Sequence, residues 1–447
     1  MITLAAPVAS LTPHALLVVL LQVCVLLTAA ILLGRAANRC GLPPIVGELA
    51  SGIVLGPSLL DRAAPNLSSW LFPTNPAQFH LLDAFATIGL LLMVGVTGAH
   101  MDTSLIRRQR RTALGISTAG LIIPLILGTS CGLLLPATYL PAGGDRIVFS
   151  AFLGVALAVS AIPVIAKTLA DMRLLHRDIG QLILTTGTID DAAAWVLLSI
   201  ASAAATSGIG TDSTIRSLAS LMLAVASAIW IVRPLAGAAL RKCAAPEQDA
   251  VRTGFVIVLI LGCAAGTQAL GLEATFGAFV AGIAIAASGG VALADLLPLR
   301  ALVLGVLAPV YFASVGLRID LTSLATPASF GLAALILVLA MLGKFLGAFL
   351  GARLSRLDTW QALALGAGMN ARGVVEVVIA TVGLNLGVFD TRFYTIVVLV
   401  ALVTSITAPP LLRAAVRHLP LSTEEQTRAE SFGWTPSPAG ESPAGER

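Results

Sequence analysis

Thirteen stretches of roughly 20 residues, almost free of charge, follow one another along this 447-residue chain. A stretch of that length and character matches the hydrocarbon core of a bilayer as a helix, and no soluble fold can bury so many. The stretches are 15–37, 43–60, 80–99, 112–136, 147–170, 179–204, 214–240, 251–270, 273–288, 295–316, 328–353, 359–386 and 391–415. Composition agrees: 57% of residues are hydrophobic and 11% charged, against about 25% charged in a soluble domain. The expectation is an all-α polytopic membrane protein with about 13 transmembrane helices, its membrane domain covering 1–420. A polar, Glu/Ser/Pro/Gly-rich tail over 421–447 is expected to be disordered.

Charge sets the orientation. Loops after odd-numbered stretches carry sixteen Lys and Arg, and loops after even-numbered ones carry five. Cytoplasmic loops hold the excess of basic residues, so the N-terminus is expected outside and the C-terminus in the cytoplasm of a cell membrane, by inference a bacterial one. The same loops account for the net charge of +4 without a nucleic-acid surface. The first stretch has no basic residue before it, so it reads as a retained helix and not as a cleaved signal. Cys24, Cys40, Cys131, Cys243 and Cys263 are scattered, with no paired spacing, and read as small apolar residues. No metal-ligand spacing and no cofactor motif occur, and no enzymatic chemistry is expected.

Two stretches carry helix breakers at membrane depth. The fifth contains Ser160-Ala161-Ile162-Pro163, and the twelfth contains Gly366-Ala367-Gly368-Met369-Asn370-Ala371-Arg372-Gly373. Irregular backbone at that depth is tolerated only where it lines an enclosed site. Two interrupted helices in corresponding places are the pointer to a transporter built from inverted repeats. Here the fourth to sixth stretches would correspond to the eleventh to thirteenth.

Each ionisable group near the bilayer centre costs at least about 2.5–3.5 kcal/mol. Few are expected, and each is a candidate for function. Asp190 and Asp191 stand midway along the sixth stretch. Successive residues of a helix point about 100° apart, so one aspartate can face a cation while the other faces a basic partner. Lys344, in the eleventh stretch, is that partner if it does not instead extend toward the interface. Arg372 and Glu376 are four residues apart and are expected to hold the broken twelfth helix together. Ser160, at the fifth-stretch break, and Thr188, on the face of Asp191, are candidate cation ligands, although either hydroxyl could bond its own helix. Glu48 is expected to shape a helix corner, and Glu273 to sit solvated at an outer end. An intramembrane aspartyl protease is excluded, since two adjacent aspartates on one helix cannot face each other as a catalytic dyad.

The stretches LPPIVGELASGIVLGPSLL (42–60), AVSAIPVIAKTLADMRLLHRDIGQLILTTGTIDDAAAWVLL (158–198), FGAFVAGIAI (276–285), PVYFASVGLRID (309–320) and GMNARGVVEVVIATVGLNLGV (368–388) resemble, in order, the monovalent cation:proton antiporter-2 family. Within it they are most similar to bacterial relatives of the plant cation/H⁺ exchangers. The resemblance implies the sodium/proton antiporter fold, usually homodimeric, with two crossing broken helices. A core of roughly 112–204 and 328–415 would move against a dimerisation domain made of the remainder. It implies Asp191 as the carrier of cation and proton, and Asp190 as the residue paired with Lys344. It implies exchange of Na⁺ or K⁺ for protons by alternating access. Plant exchangers usually have Asn-Asp where this chain has Asp190-Asp191, a pair that looks like the electrogenic sodium/proton antiporters. The potassium-efflux branch carries a nucleotide-binding domain after the helices, and the 421–447 tail does not resemble one. The alternative is a membrane sensor that keeps the fold without transporting, and intact Asp190, Asp191 and Lys344 weigh against it.

Overall fold

The computed structural model describes residues 12–73, 76–99, 110–141, 144–207, 211–242, 249–289, 296–423 and 425. Among them there is no strand. The helices are α1 (Pro13–Arg39), α2 (Pro44–Leu55), α3 (Leu60–Ala63), α4 (Pro65–Leu71), α5 (Pro76–Ala99), α6 (Arg110–Leu134), α7 (Arg146–Ala158), α8 (Ile162–Asp171), α9 (Asp178–Ser207), α10 (Thr211–Ser227), α11 (Arg233–Lys242), α12 (Asp249–Ala269), α13 (Ala274–Ala287), α14 (Leu297–Leu302), α15 (Ala308–Gly316), α16 (Pro327–Leu354), α17 (Thr359–Met369), α18 (Val374–Asn385) and α19 (Thr391–Val416). Short π-helical turns, Ala228–Val232 and Val303–Leu307, join α10 to α11 and α14 to α15.

Every apolar stretch in the sequence is helical here, with ends shifted by a few residues. Nine helices among the described residues are long and apolar enough to cross a bilayer, and the α17–α18 pair, bent by 43°, makes a tenth. The second, fifth and ninth stretches form shorter pieces: α2 of 12 residues, α7 and α8 of 13 and 10, and α13 of 14. The tail expected to be disordered lies outside the described residues except for 421–423 and 425.

Local chemistry sets the helix starts. Asp358 accepts a bond from the Gln361 amide while the Gln361 side chain returns one to the Asp358 amide, a reciprocal cap on α17. Asp390, Thr326 and Asp145 cap α19, α16 and α7 one-way, each side chain accepting a backbone amide of the first turn. The fifth stretch breaks at Val159–Ala161, and Pro163 then falls in the first turn of α8, where its missing N–H loses nothing.

Most of the helix packing falls into two groups. In the first, α6 lies between α16 and α7, α16 packs on α17, and α17 and α18 pack on α19. The seam between α6 and α16 is lined by small residues. A Cβ on Gly347 would stand 2.7 Å from the Ala119 carbonyl, and one on Gly351 would stand 2.7 Å from Ile116 Cα. Backbones approach this closely only where side chains are missing. In the second group, α1 packs on α2, α2 on α15, and α5 on α13, which also meets α12. Helix α9 belongs to the first group, packing on α6, α7, α17 and α18, and its outward face touches α13 of the second.

The two breaks cross. The Ala161 amide donates to the Ala371 carbonyl at 3.1 Å. At the crossing a Cβ on Gly373 would stand 2.7 Å from a methyl of Val164, so the closest point of approach is occupied by the residue without a side chain. At the far end of the same bundle Glu425 accepts the Asp178 amide at the start of α9 (2.7 Å) and pairs with Arg177 Nε (3.1 Å).

Candidate functional site

The α6–α16 seam and the crossing breaks converge on the middle of α9, where Asp190 and Asp191 are both fully buried. Their neighbours differ as the 100° offset requires. Asp190 points into the first helix group. Its Oδ2 pairs with Lys344 Nζ at 2.6 Å, and its Oδ1 accepts the Ser117 hydroxyl of α6. Asp191 points out of that group. It lines a cavity of about 10 Å³ with Val94 and Thr97 of α5, Trp195, Phe279 of α13, and Val374 and Val375 of α18. That volume is of the order of one water molecule. The pair therefore splits: one carboxylate is tied to a fixed cation of the protein, and the other faces the junction of the two helix groups.

Lys344 is fully buried and does not extend to an interface. Its ammonium also donates to the Ala158 carbonyl at 2.6 Å, the last residue of α7, whose carbonyl the break leaves without a helical partner. A single lysine thus serves an ion pair and an open helix end.

Ser160 lies in the fifth-stretch break as expected. Its hydroxyl donates to the Met369 carbonyl of the other broken helix at 2.8 Å and stands 3.4 Å from Asp190 Oδ2. Thr188 bonds its own helix at the Leu184 carbonyl, 2.8 Å away, the helix-bonding alternative left open by the sequence. Ser160 is thereby brought to the site and Thr188 is not.

Arg372 and Glu376 form the expected pair along the twelfth stretch, 3.2 Å apart and both fully buried. Arg372 reaches further than that. It donates to the carbonyls of Ala156 (2.9 Å) and Leu157 (2.6 Å) at the end of α7 and of Ala340 in α16 (2.9 Å). One guanidinium thus satisfies open carbonyls at the end of α7 and also ties that end to the middle of α16, a use suited to its fixed five-donor fork.

Three polar residues at the site went unread in the sequence. Ser117 holds Asp190, Ser405 of α19 donates to the Arg372 carbonyl, and the buried Asn370 side-chain oxygen Oδ1 in the break has no hydrogen-bond partner among the described residues. A lone serine in an apolar helix gives no signal by spacing. Asn370 could have been found, since it sits inside the Gly-rich break. Glu273, expected in solvent, instead lines a separate cavity of about 90 Å³.

Comparison with known proteins agrees with this architecture. Residues 25–417 match the family described as sodium/hydrogen exchanger, transmembrane. Cation/H(+) antiporter 17 of Arabidopsis thaliana is 31% identical over 407 residues, covering 90% of this chain and 49% of that protein. The chain thus spans about half the length of the plant relatives it matches. Na(+)/H(+) antiporter NhaS4 of Synechocystis is 30% identical over 406 residues, covering 89% of this chain and 97% of that one. The solved structure of the sodium proton antiporter MjNhaP1 from Methanocaldococcus jannaschii superposes with a TM-score of 0.65 at 17% identity, covering 90% of this chain and 97% of that one. This last likeness is one of fold.

Proposed function

The chain belongs to the sodium/hydrogen exchanger family, and from that premise we propose that it is a secondary antiporter exchanging a monovalent cation, Na⁺ or K⁺, for protons. The observation that carries this reading is the unequal environment of the two aspartates. Asp191 is a buried carboxylate at a cavity between two helix groups, while Asp190 is already held by Lys344 and Ser117. A carboxylate in that position holds either a proton or a small cation, and each displaces the other. Coupling follows from that competition, with no need for a separate gate that senses both ions.

In this reading the core is the α6–α9 and α16–α19 group, roughly 112–204 and 328–415. It moves against the remaining helices, which also form the homodimer contact, and so carries Asp191 from one face to the other. Movement of the core as a unit is favoured by its own ties: Arg372, Lys344 and the Ala161–Ala371 bond all join core helices to one another. Ser160 and the open backbone of the breaks supply oxygen donors near the carboxylates. The cytoplasmic face is the one carrying the basic loops, with the N-terminus outside and the C-terminus inside.

Everted vesicles with a pH-sensitive dye test the assignment. Addition of Na⁺ or K⁺ is expected to dissipate an imposed proton gradient for the wild type and not for Asp191→Asn. A variant that still responds like the wild type would falsify the role given to Asp191.

A further inference from the structure

The cavity of about 90 Å³ lies between α5, α13, α15 and α18, toward the end where α5 begins and α18 finishes. On the charge-based orientation this is the outer face. Along α5 it ends at Leu90 and Leu91, one turn short of Val94 at the Asp191 cavity; along α18 it reaches Val378, one turn from Val374. The two cavities are therefore aligned, with a single turn of apolar side chains between them.

Three charged side chains line the larger cavity: Asp83, Glu273 and Arg318. Arg318 pairs with the Asp83 carboxylate and donates to Asn385 Oδ1 at 2.9 Å. The half-buried Glu273 carboxylate, by contrast, has no ion pair among the described residues. Two residues on, the Thr275 hydroxyl lines the same wall. It is 3% exposed and has no hydrogen-bond partner among the described residues. A buried hydroxyl in a native structure is nearly always met by some partner.

We propose that this cavity is a second monovalent-cation site, in which Glu273 supplies the charge and the hydroxyl oxygen of Thr275 a neutral ligand. The donor set is oxygen only, which suits a hard cation and excludes a transition metal. One uncompensated carboxylate matches one positive charge, whereas a calcium site gathers several carboxylates among 6–8 oxygens. The volume admits several waters beside the ion at about 10–15 Å³ each, so the cation stays partly hydrated and is held weakly. Its place, one turn from Asp191, makes it a staging position on the path from that face. Only the identity of the cation rests on the antiport reading; the site itself rests on the cavity.

Binding of radioactive Na⁺ or Rb⁺ to the purified full chain in detergent, read by scintillation proximity, separates the two sites. Asp191→Asn is expected to keep a weak binding phase. Asp191→Asn combined with Glu273→Gln is expected to lose it. Thr275→Val in the same background weakens it about tenfold, the size of one lost bond to a charged group. Loss of all binding in Asp191→Asn, or a residual phase indifferent to Glu273→Gln, overturns the proposal. Should Glu273→Gln fail to fold, an unchanged affinity in the Thr275→Val protein does the same. Failure of the antiport reading looks different: Asp191→Asn then leaves both binding and proton flux as in the wild type, while the Glu273-dependent phase persists.

Discussion

Replacing Lys344 by methionine tests how the site tolerates its own charges. Lys344 Nζ and Asp190 Oδ2 are 2.6 Å apart, both side chains fully buried. At an effective dielectric of about 20 the gross attraction at that distance is about 6 kcal/mol. Much of it offsets the desolvation of the two groups, and removing one partner of a buried pair costs about 3–5 kcal/mol because the other charge is left uncompensated. Lys344→Met also strips the Ala158 carbonyl of its donor. At roughly 2 °C per kcal/mol for a large domain, the midpoint of thermal unfolding in detergent should fall by about 6–10 °C. Asp190→Asn alone should cost a comparable amount. The double variant, with no buried charge left at that point, should recover most of the loss, so the double-mutant cycle shows a strong coupling. Differential scanning fluorimetry on the four proteins reads all of this. Additive losses, or a Lys344→Met protein as stable as the wild type, would refute the reasoning.

Other outcomes follow from the same coordinates. Gly282→Val should abolish accumulation of folded protein, since even its Cβ would stand 2.1 Å from the Gly95 carbonyl at the α5–α13 crossing; Gly262→Ala, with nothing within 4 Å, should be neutral or stabilising by up to about 1 kcal/mol, and gel filtration of the two variants checks the contrast. At Glu425, burial pushes the carboxyl up, but the Ser422 and Asp178 amides and Arg177 outweigh it and hold it below its ordinary value of 4.5. The depressed value means that the contact stabilises the chain above the ordinary carboxylate range and is lost as pH falls through the folded value. The difference in melting temperature between wild type and Glu425→Gln should therefore be present at neutral pH and vanish in acid.

Much of the architecture was legible because it obeys one-dimensional rules. Bilayer thickness fixes helix length, so apolar runs alone located the helices, although among the described residues only nine, or ten with the bent α17–α18 pair, are long enough to cross. Breakers clustered with polar residues at depth located both interruptions, since irregular backbone there is tolerated only where it lines an enclosed site. The energetic anomaly of charge in an apolar run identified Asp190, Asp191, Lys344, Arg372 and Glu376. What stayed hidden depends on which faces meet. Thr188 has the same alternatives as Ser160 on paper, and only the fold shows that one hydroxyl closes on its own helix while the other bridges two breaks.

The sequence by itself determined an all-helical membrane protein with two interrupted helices and a few buried charges, because hydropathy, helix length and the cost of charge are properties of local composition. The tertiary structure decided how those charges are shared. The glycine seam between α6 and α16 brings Ser117 and Lys344 to Asp190, and the packing of α9 against α13 leaves Asp191 at the junction of two helix groups. Adjacent residues of identical chemistry acquire different partners because helix rotation places them on different faces, and only the packing of distant segments determines what each face meets.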